Sequence, residues 1–559
     1  MKQIIWFFFL FVYVTYGQNT GKKKDFNITG SLNLMYENYS YDAVNYESFR
    51  GRYPADFLRL SGNAVLHFGK YLNIPVGISF SNRKTTYIIP DLPNDGIYNY
   101  IRSPRNNFHI NPNYKWAHLK LGTNTTKYSQ LTTGNIPVFG AGFDINPGKF
   151  IFSAGYGVSQ LAIEPVPELN IPGAYQQNII TGRIGYGKLN GSKVTLNFVK
   201  IKDDINSVKE APIGIKPMEG ANFSPLVELK LSKNWDLITE TAVSVKTTDL
   251  EAEDNIISYP NSFITVNNTT VVDYSHITGL KWHNKKVSIG GEFNYIGPGY
   301  LFAGYRNTET DIIDYKLTTA FKLYKNKVNV NAVAGIRTNN IMNTKLAKNN
   351  RFIGNINVFA QITKAFSLNA GFNNYGFRND ASLEMLKIEM VNNSFSLNPV
   401  YQFKTKTNYH QFGLAYNYDQ FKQYDFLNEA YVNTTTNTYN FNYSLSFLKM
   451  PLVAGFNALY MTNQSDLSAF EMNNYSVRLG YKFFEKKLNA GLLVNYLRFS
   501  RDDFTPDNRL NTKVKLKYKI NKKLNSQITY SLNNNTYGSY RPGAVLNENK
   551  ISLSITQKF

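Results

Sequence analysis

The 559-residue chain contains no cysteine, which excludes disulfides, thiolate metal sites and a lipid-anchored cysteine. It also lacks any run of about 18 apolar residues, and its mean hydropathy is −0.34, so a helical membrane bundle is excluded. Acidic residues are few: 39 Asp and Glu stand against 61 Lys and Arg, a net charge of +22. Histidine is scarcer still. The six, at positions 67, 109, 118, 276, 283 and 410, have no spacing that sets two or three on one strand face, so no zinc or iron site is expected. There is no P-loop, no nucleophile elbow and no dinucleotide fingerprint. No enzyme activity and no cofactor are expected.

The chain is rich in rings, with 40 Tyr and 39 Phe, the enrichment found on pleated surfaces. Its longest apolar run is N-terminal. MKQIIWFFFLFVYVTYG places Lys2 before an uninterrupted stretch from Ile4 to Val14 and a small residue at Gly17, the pattern of a secretory signal too short to span a bilayer. Thr15 and Gly17 are the expected cleavage residues and Gln18 the expected mature N-terminus. An exported basic chain without a compact basic helix is not expected to bind nucleic acid; its charge suits anionic head groups, glycans or solutes.

Beyond Phe26, polarity alternates with period two in segments of about ten to fourteen residues. Leu58, Leu60, Gly62, Ala64, Leu66 and Phe68 share one face; after a short turn, Leu72, Ile74, Val76, Ile78 and Phe80 repeat the pattern. A sheet with so long an apolar face needs a covering layer, and the sequence supplies none. Short turns alternate with long polar loops, the signature of an outer-membrane β-barrel. Twelve short turns are expected, around Lys70, Pro112, Gly148, Gly191, Asn234, Asn284, Asn326, Lys364, Thr405, Lys449, Lys486 and Lys522. With both termini at the short-turn rim, they predict a transmembrane antiparallel barrel of 26 strands, or 24 if the segment around Pro112 folds into the lumen. Long loops are expected at Tyr87 to Ser103, Asp249 to Thr270, Asp419 to Asn437 and Tyr537 to Asn547. The domain reading is a signal peptide over 1–17 and one barrel over 18–559, with no separate plug or periplasmic domain because only Gln18 to Asp25 precede the first strand.

Two features stand out as candidate sites. Lys513, Lys515, Lys517 and Lys519 alternate with Val514, Leu516 and Tyr518, so they point into the lumen if the apolar face meets lipid; they would attract anions or pair with carboxylates. The closing ISLSITQKF sets Ile551, Leu553, Ile555 and Phe559 toward lipid and Ser552, Ser554, Thr556 and Lys558 toward the lumen. Lysines also recur in the short turns, from Lys70 to Lys522 and Lys523, where hydrated turns call for soluble residues. The pairs Asp203–Asp204 and Asp502–Asp503 read as solvated rather than calcium-binding. YIGPGYLFAGYRN, from Tyr295, opens a long loop expected to rest on the rim or enter the lumen.

INPNYKWAHLKLG (Ile110 to Gly122), FGAGFDINPGKFIFSAGYG (Phe139 to Gly157), GPGYLFAGYRN (Gly297 to Asn307) and NNRFIGNINVFAQI (Asn349 to Ile362) resemble a group of Bacteroidota outer-membrane β-barrel proteins. The resemblance implies a large integral barrel in a Gram-negative outer membrane, and no activity or functional residue is carried over from it. The terminal aromatic likewise resembles the recognition signal of the outer-membrane assembly machinery. That machinery, outer-membrane lipid and lipopolysaccharide, and further outer-membrane or periplasmic proteins are the expected partners. Two functions follow: the barrel subunit of a multiprotein envelope machine for protein export or outer-membrane assembly, its lumen occluded by loops, or a porin-like passive or gated channel for large or anionic substrates.

Overall fold

Alternating aromatic or β-branched and small polar residues fit a pleated, two-faced surface, and the chain uses them to build one closed sheet. The computed structural model describes residues 26–82, 101–102, 107–134, 136–253, 263–305, 308–344, 347–379, 389–425, 430–466, 468–502, 504–539 and 541–559. Thr15, Gly17 and Gln18 lie outside them. Its 27 hydrogen-bonded segments all pair antiparallel. Two of them, His109–Ile110 and Asn113–Tyr114, both bridge Leu72–Ser81 to Ala117–Thr125 and form one interrupted strand. The barrel therefore has 26 strands, as the larger count predicts. The first strand, Phe26–Val44, closes on the last, Ala544–Lys558, from Ser31 opposite Lys558 to Val44 opposite Val545.

The turn expected at Pro112 lies instead at Lys115 and Trp116, where Lys115 adopts φ 50°. Pro112 has no N–H to give the ladder, so it interrupts the strand without reversing it, and its carbonyl still accepts from the Leu119 amide at 2.8 Å. Two expected loops are also corrected. Asp419 to Asn437 belongs to a hairpin of two 18-residue strands, Asn408–Asp425 and Ala430–Phe447. The loop expected at Tyr537 to Asn547 is shorter, since Tyr537 and Ala544 to Asn547 are ladder: Leu524–Tyr537 pairs with Ala544–Lys558 up to Tyr537 opposite Ala544. In the first of them the run of Asn and Thr from Asn433 to Asn437 resembles loop composition, and long-range pairing overrides that preference.

At about 4.8 Å between strands and a tilt near 40°, a ring of this size is roughly 50 Å across. Its outward face is a continuous apolar surface: Leu492, Val514, Tyr530 and Ile551 lie opposite one another on four successive strands, as do Ala490, Leu516, Ile528 and Leu553. The inward face is mostly Asn, Ser, Thr and Lys. At the closing seam Leu32 and Leu60 pack with Leu34, Ile78, Ile555 and Phe559, and the Phe559 amide donates to the Gly30 carbonyl at 3.1 Å. The terminal aromatic thus packs beside the joint between first and last strands.

Candidate functional site in the lumen

Glu240 lies midway along Trp235–Thr247, on the inward face with Ala242 and Ser244, and is only 2% exposed. A buried carboxylate is costly unless its lone pairs are filled. Here Ser224 Oγ donates to Oε1, and the backbone amides of Gln130 and Leu131 donate to Oε2 and Oε1 at 3.2 and 3.4 Å. Gln130 and Leu131 belong to the connection between Ala117–Thr125 and Pro137–Ile145, so Glu240 fastens that connection inside the barrel.

A second connection completes the plug. After Ile296 the chain turns inward, and Tyr300 packs with Leu131, Ala242, Ile277, Ile296 and Ile312. The Tyr300 hydroxyl donates to the Leu131 carbonyl at 2.7 Å and the Tyr305 hydroxyl to the Ser129 carbonyl at 2.6 Å. Burial, with the charge of Glu240 adding to it, pushes the Tyr305 phenol up to about 12, and burial raises Tyr300 too. Both remain donors at physiological pH. Thr133 and Gly304 form a parallel bridge between the two connections. A Cβ at Gly304 would lie 2.2 Å from the Thr132 carbonyl oxygen, so only glycine permits this approach. Gly304→Ala is expected to separate the two connections and make the 126–136 segment protease-sensitive, while the barrel keeps its heat-modifiable electrophoretic mobility; an unchanged digestion pattern would count against this.

The long loop expected at Asp249 to Thr270 takes no part in this plug: its described part, 263–269, lies against the outward face. Lys200 shares that face with Ile180, its cross-strand partner, and its ammonium needs a counter-charge there. Glu219, 1% exposed, supplies one at 2.7 Å and also lies 3.4 Å from Lys202. The loop covers the pair: the Phe263 carbonyl accepts from Lys200, and the Thr265 amide donates to Glu219 at 3.1 Å. Phe263 meets Phe198 and Phe223 at 5.5 and 5.7 Å.

Lys513, Lys515, Lys517 and Lys519 occupy the face opposite Val514, Leu516 and Tyr518, and all four are exposed. Among the described residues no carboxylate forms an ion pair with them. Their strand, Asp507–Lys519, is the twenty-fourth around the ring, and Glu240 is on the eleventh. The lysine row and the plug latch are therefore half the circumference apart. Ile551, Leu553 and Ile555 lie on the outward face of the last strand. Asp203 is not a free solvated group: it accepts from Gln177 Nε2 at 3.1 Å and the Met218 amide at 3.0 Å. Asp502 accepts from the Ala469 amide at 2.8 Å, and Asp503 lies outside the described residues. Among the described residues no three His, Asp or Glu side chains converge as metal ligands.

Glu240 and the 126–136 connection are the parts that sequence reading missed. One signal was present: ITETAVSV sets a lone acid in the inward phase of a strand whose neighbours on that face are small or apolar.

No protein-family model matches the chain, and no curated protein matches it. Solved structures superpose loosely. The P pilus usher (PapC) translocation pore is 10% identical at a TM-score of 0.35, over 95% of this chain and 99% of that one. Pseudomonas aeruginosa FpvA bound to a heterologous pyoverdine is 10% identical at 0.40, over 95% and 72%. Pseudomonas aeruginosa OpdK with vanillate is 8% identical at 0.30, over 62% and 93%. At these values no residue role and no cargo is carried from them to this chain.

Proposed function

We propose that this chain is an outer-membrane barrel of a Gram-negative, Bacteroidota-type envelope, serving as a gated conduit for large or anionic solutes. The observation that carries the reading is the placement of an internal plug on one wall and, on the wall across from it, a lysine row that no described carboxylate pairs with. A closed sheet with an apolar exterior suits a bilayer, since closure leaves no unpaired edge in hydrocarbon. The short turns face the periplasm and the long connections face outward, so the plug is built from external loops. A lumen of this width passes far more than small solutes if nothing fills it. The plug narrows it, and the lysines bias what passes along the free side toward anions.

The direct test is conductance of the purified protein in a planar bilayer. Anion-selective steps support the conduit, and a silent barrel contradicts it. Assembly supplies a separate check on the location. Phe559 packs at the closing seam, and its deletion is expected to leave the chain unassembled and fully denatured in electrophoretic mobility without boiling. Normal insertion and normal heat-modifiability would count against a terminal assembly signal.

One feature favours the second reading, a barrel subunit of an export or assembly machine. A strand needs about 9–11 residues to cross a membrane, so the 18-residue strands Asn408–Asp425 and Ala430–Phe447 project roughly 15–20 Å beyond the rim. Tyr416 and Tyr439 pair at 5.1 Å, and Tyr424 and Tyr431 at 4.8 Å, giving a stiff aromatic arm. A stoichiometric partner in gentle purifications, lost when the arm is shortened, is the result that supports this reading.

A further inference from the structure

Beneath the plug, six successive strands place polar residues directly opposite one another on the inward face: His118, Asp144, Ser153, Arg183, Asn197 and Ser224. Lys120 lies on the same face, and its ammonium reaches Asp144 Oδ2 at 2.5 Å. Arg183 is held from three sides. Its guanidinium lies 3.9 Å from Asp144 Oδ1, donates to Ser153 Oγ at 3.0 Å, and sits 4.8 Å above the ring of Tyr128, at the foot of the plug. His118, Lys120, Asp144 and Arg183 border a cavity of about 380 Å³ that also touches Asn146 and Leu189. The last two belong to short turns, so the cavity opens toward the short-turn rim.

The hydrogen bonding of this cluster is unfinished. Among the described residues Arg183 Nε is a buried donor without a hydrogen-bond partner, a costly arrangement that an acceptor oxygen relieves, whereas the unpartnered Asp144 Oδ1 and Asn146 Oδ1 are acceptors and call for a donor. Lys120 has donors left after serving Asp144. Two cations against one carboxylate leave a net charge of about +1, with His118 and Asn113 beside them; their own contact is His118 Nδ1 to Asn113 Oδ1 at 2.9 Å. A site with one excess positive charge, a guanidinium and an ammonium suits one compact oxyanion.

We infer that this cavity is an oxyanion-binding site, taking a carboxylate or a phosphate group between Lys120 and Arg183. Arg183 belongs both to the site and to the plug contact. An anion drawing the guanidinium away from Tyr128 weakens the cation–π contact at the foot of the 126–136 connection. Further along the same row, Asn197 Nδ2 donates to the Ser224 carbonyl at 3.3 Å, and Ser224 Oγ donates to Glu240. The site thus adjoins the latch through two neighbouring residues, Asn197 and Ser224. The inference does not depend on the conduit reading, because binding in detergent needs no current.

Calorimetric titration of the full-length protein tests it, with inorganic phosphate in one arm and acetate in the other. Saturable binding of at least one anion is expected. The arm that saturates says whether the site prefers phosphate or carboxylate. Arg183→Gln is expected to weaken that binding at least tenfold, whereas Asp144→Asn removes the competing carboxylate and is expected to tighten it several-fold. A general folding defect would weaken both variants, so the opposite signs separate binding from damage. No saturation in either arm, or an unchanged affinity in Arg183→Gln, overturns the inference.

Discussion

Replacing Glu240 by alanine is expected to release the plug and raise solute flux through the barrel several-fold. The carboxylate satisfies two backbone amides and a hydroxyl inside the lumen. Its removal strands three donors, each costing about 1–3 kcal/mol when left unpaired and buried. That is comparable to what the remaining anchors, Tyr300 and Tyr305, contribute through one hydrogen bond each and their ring packing. The 126–136 connection then exchanges its wall contacts for water. Liposome swelling with neutral sugars of graded size reads the flux, and protease cleavage within 126–136 reads the release. Glu240→Gln keeps one acceptor and should fall between the two. Unchanged swelling and unchanged cleavage in the alanine variant would mean that the latch does not hold the plug.

Changing Lys513, Lys515, Lys517 and Lys519 together to glutamine is expected to remove most of the anion preference of the open barrel. Residues two apart on a strand are separated by roughly 6.8 Å, less than the ~10 Å Debye length at 0.1 M salt. The four fields therefore overlap and act as one cationic stripe. The reversal potential in a salt gradient should shift toward zero, with the anion-to-cation permeability ratio falling several-fold at 0.1 M and the difference fading near 1 M. The substitution leaves Val514, Leu516 and Tyr518 on the outward face, so assembly should be unaffected. A reversal potential that does not move would assign selectivity elsewhere.

The contrast between these two sites shows where the sequence is legible. The lysine row is local: period-two alternation in LNTKVKLKYK fixes both its strand and its face. Strand number followed from short turns, which are also local, and Pro112 misled only the position of one reversal. The long strands after Asn408 were hidden because Asn and Thr serve turns and polar strand faces equally well. The plug was hidden for a different reason. Neither YSQLTTGNI nor GPGYLFAGY carries periodicity, and their conformation depends on contacts with Glu240 and Ile277, over a hundred residues from the first segment. Glu240 was visible as a lone acid among small or apolar neighbours on the inward face of a strand, yet only the fold shows which amides it serves. The covered Lys200–Glu219 pair is similar: alternation places Lys200 on the apolar face, and the chain solves that conflict with a loop more than sixty residues away.

In the proposed conduit the lumen conducts along its lysine-lined side and is narrowed by a plug latched at Glu240. Single-channel recording of the wild-type protein and Glu240→Ala, side by side in planar bilayers at 0.1 M salt, tests it most directly. Small anion-selective steps are expected in the wild type, and larger steps that keep the same sign of selectivity in the variant. Silence from both proteins, when each is inserted and heat-modifiable, would contradict it.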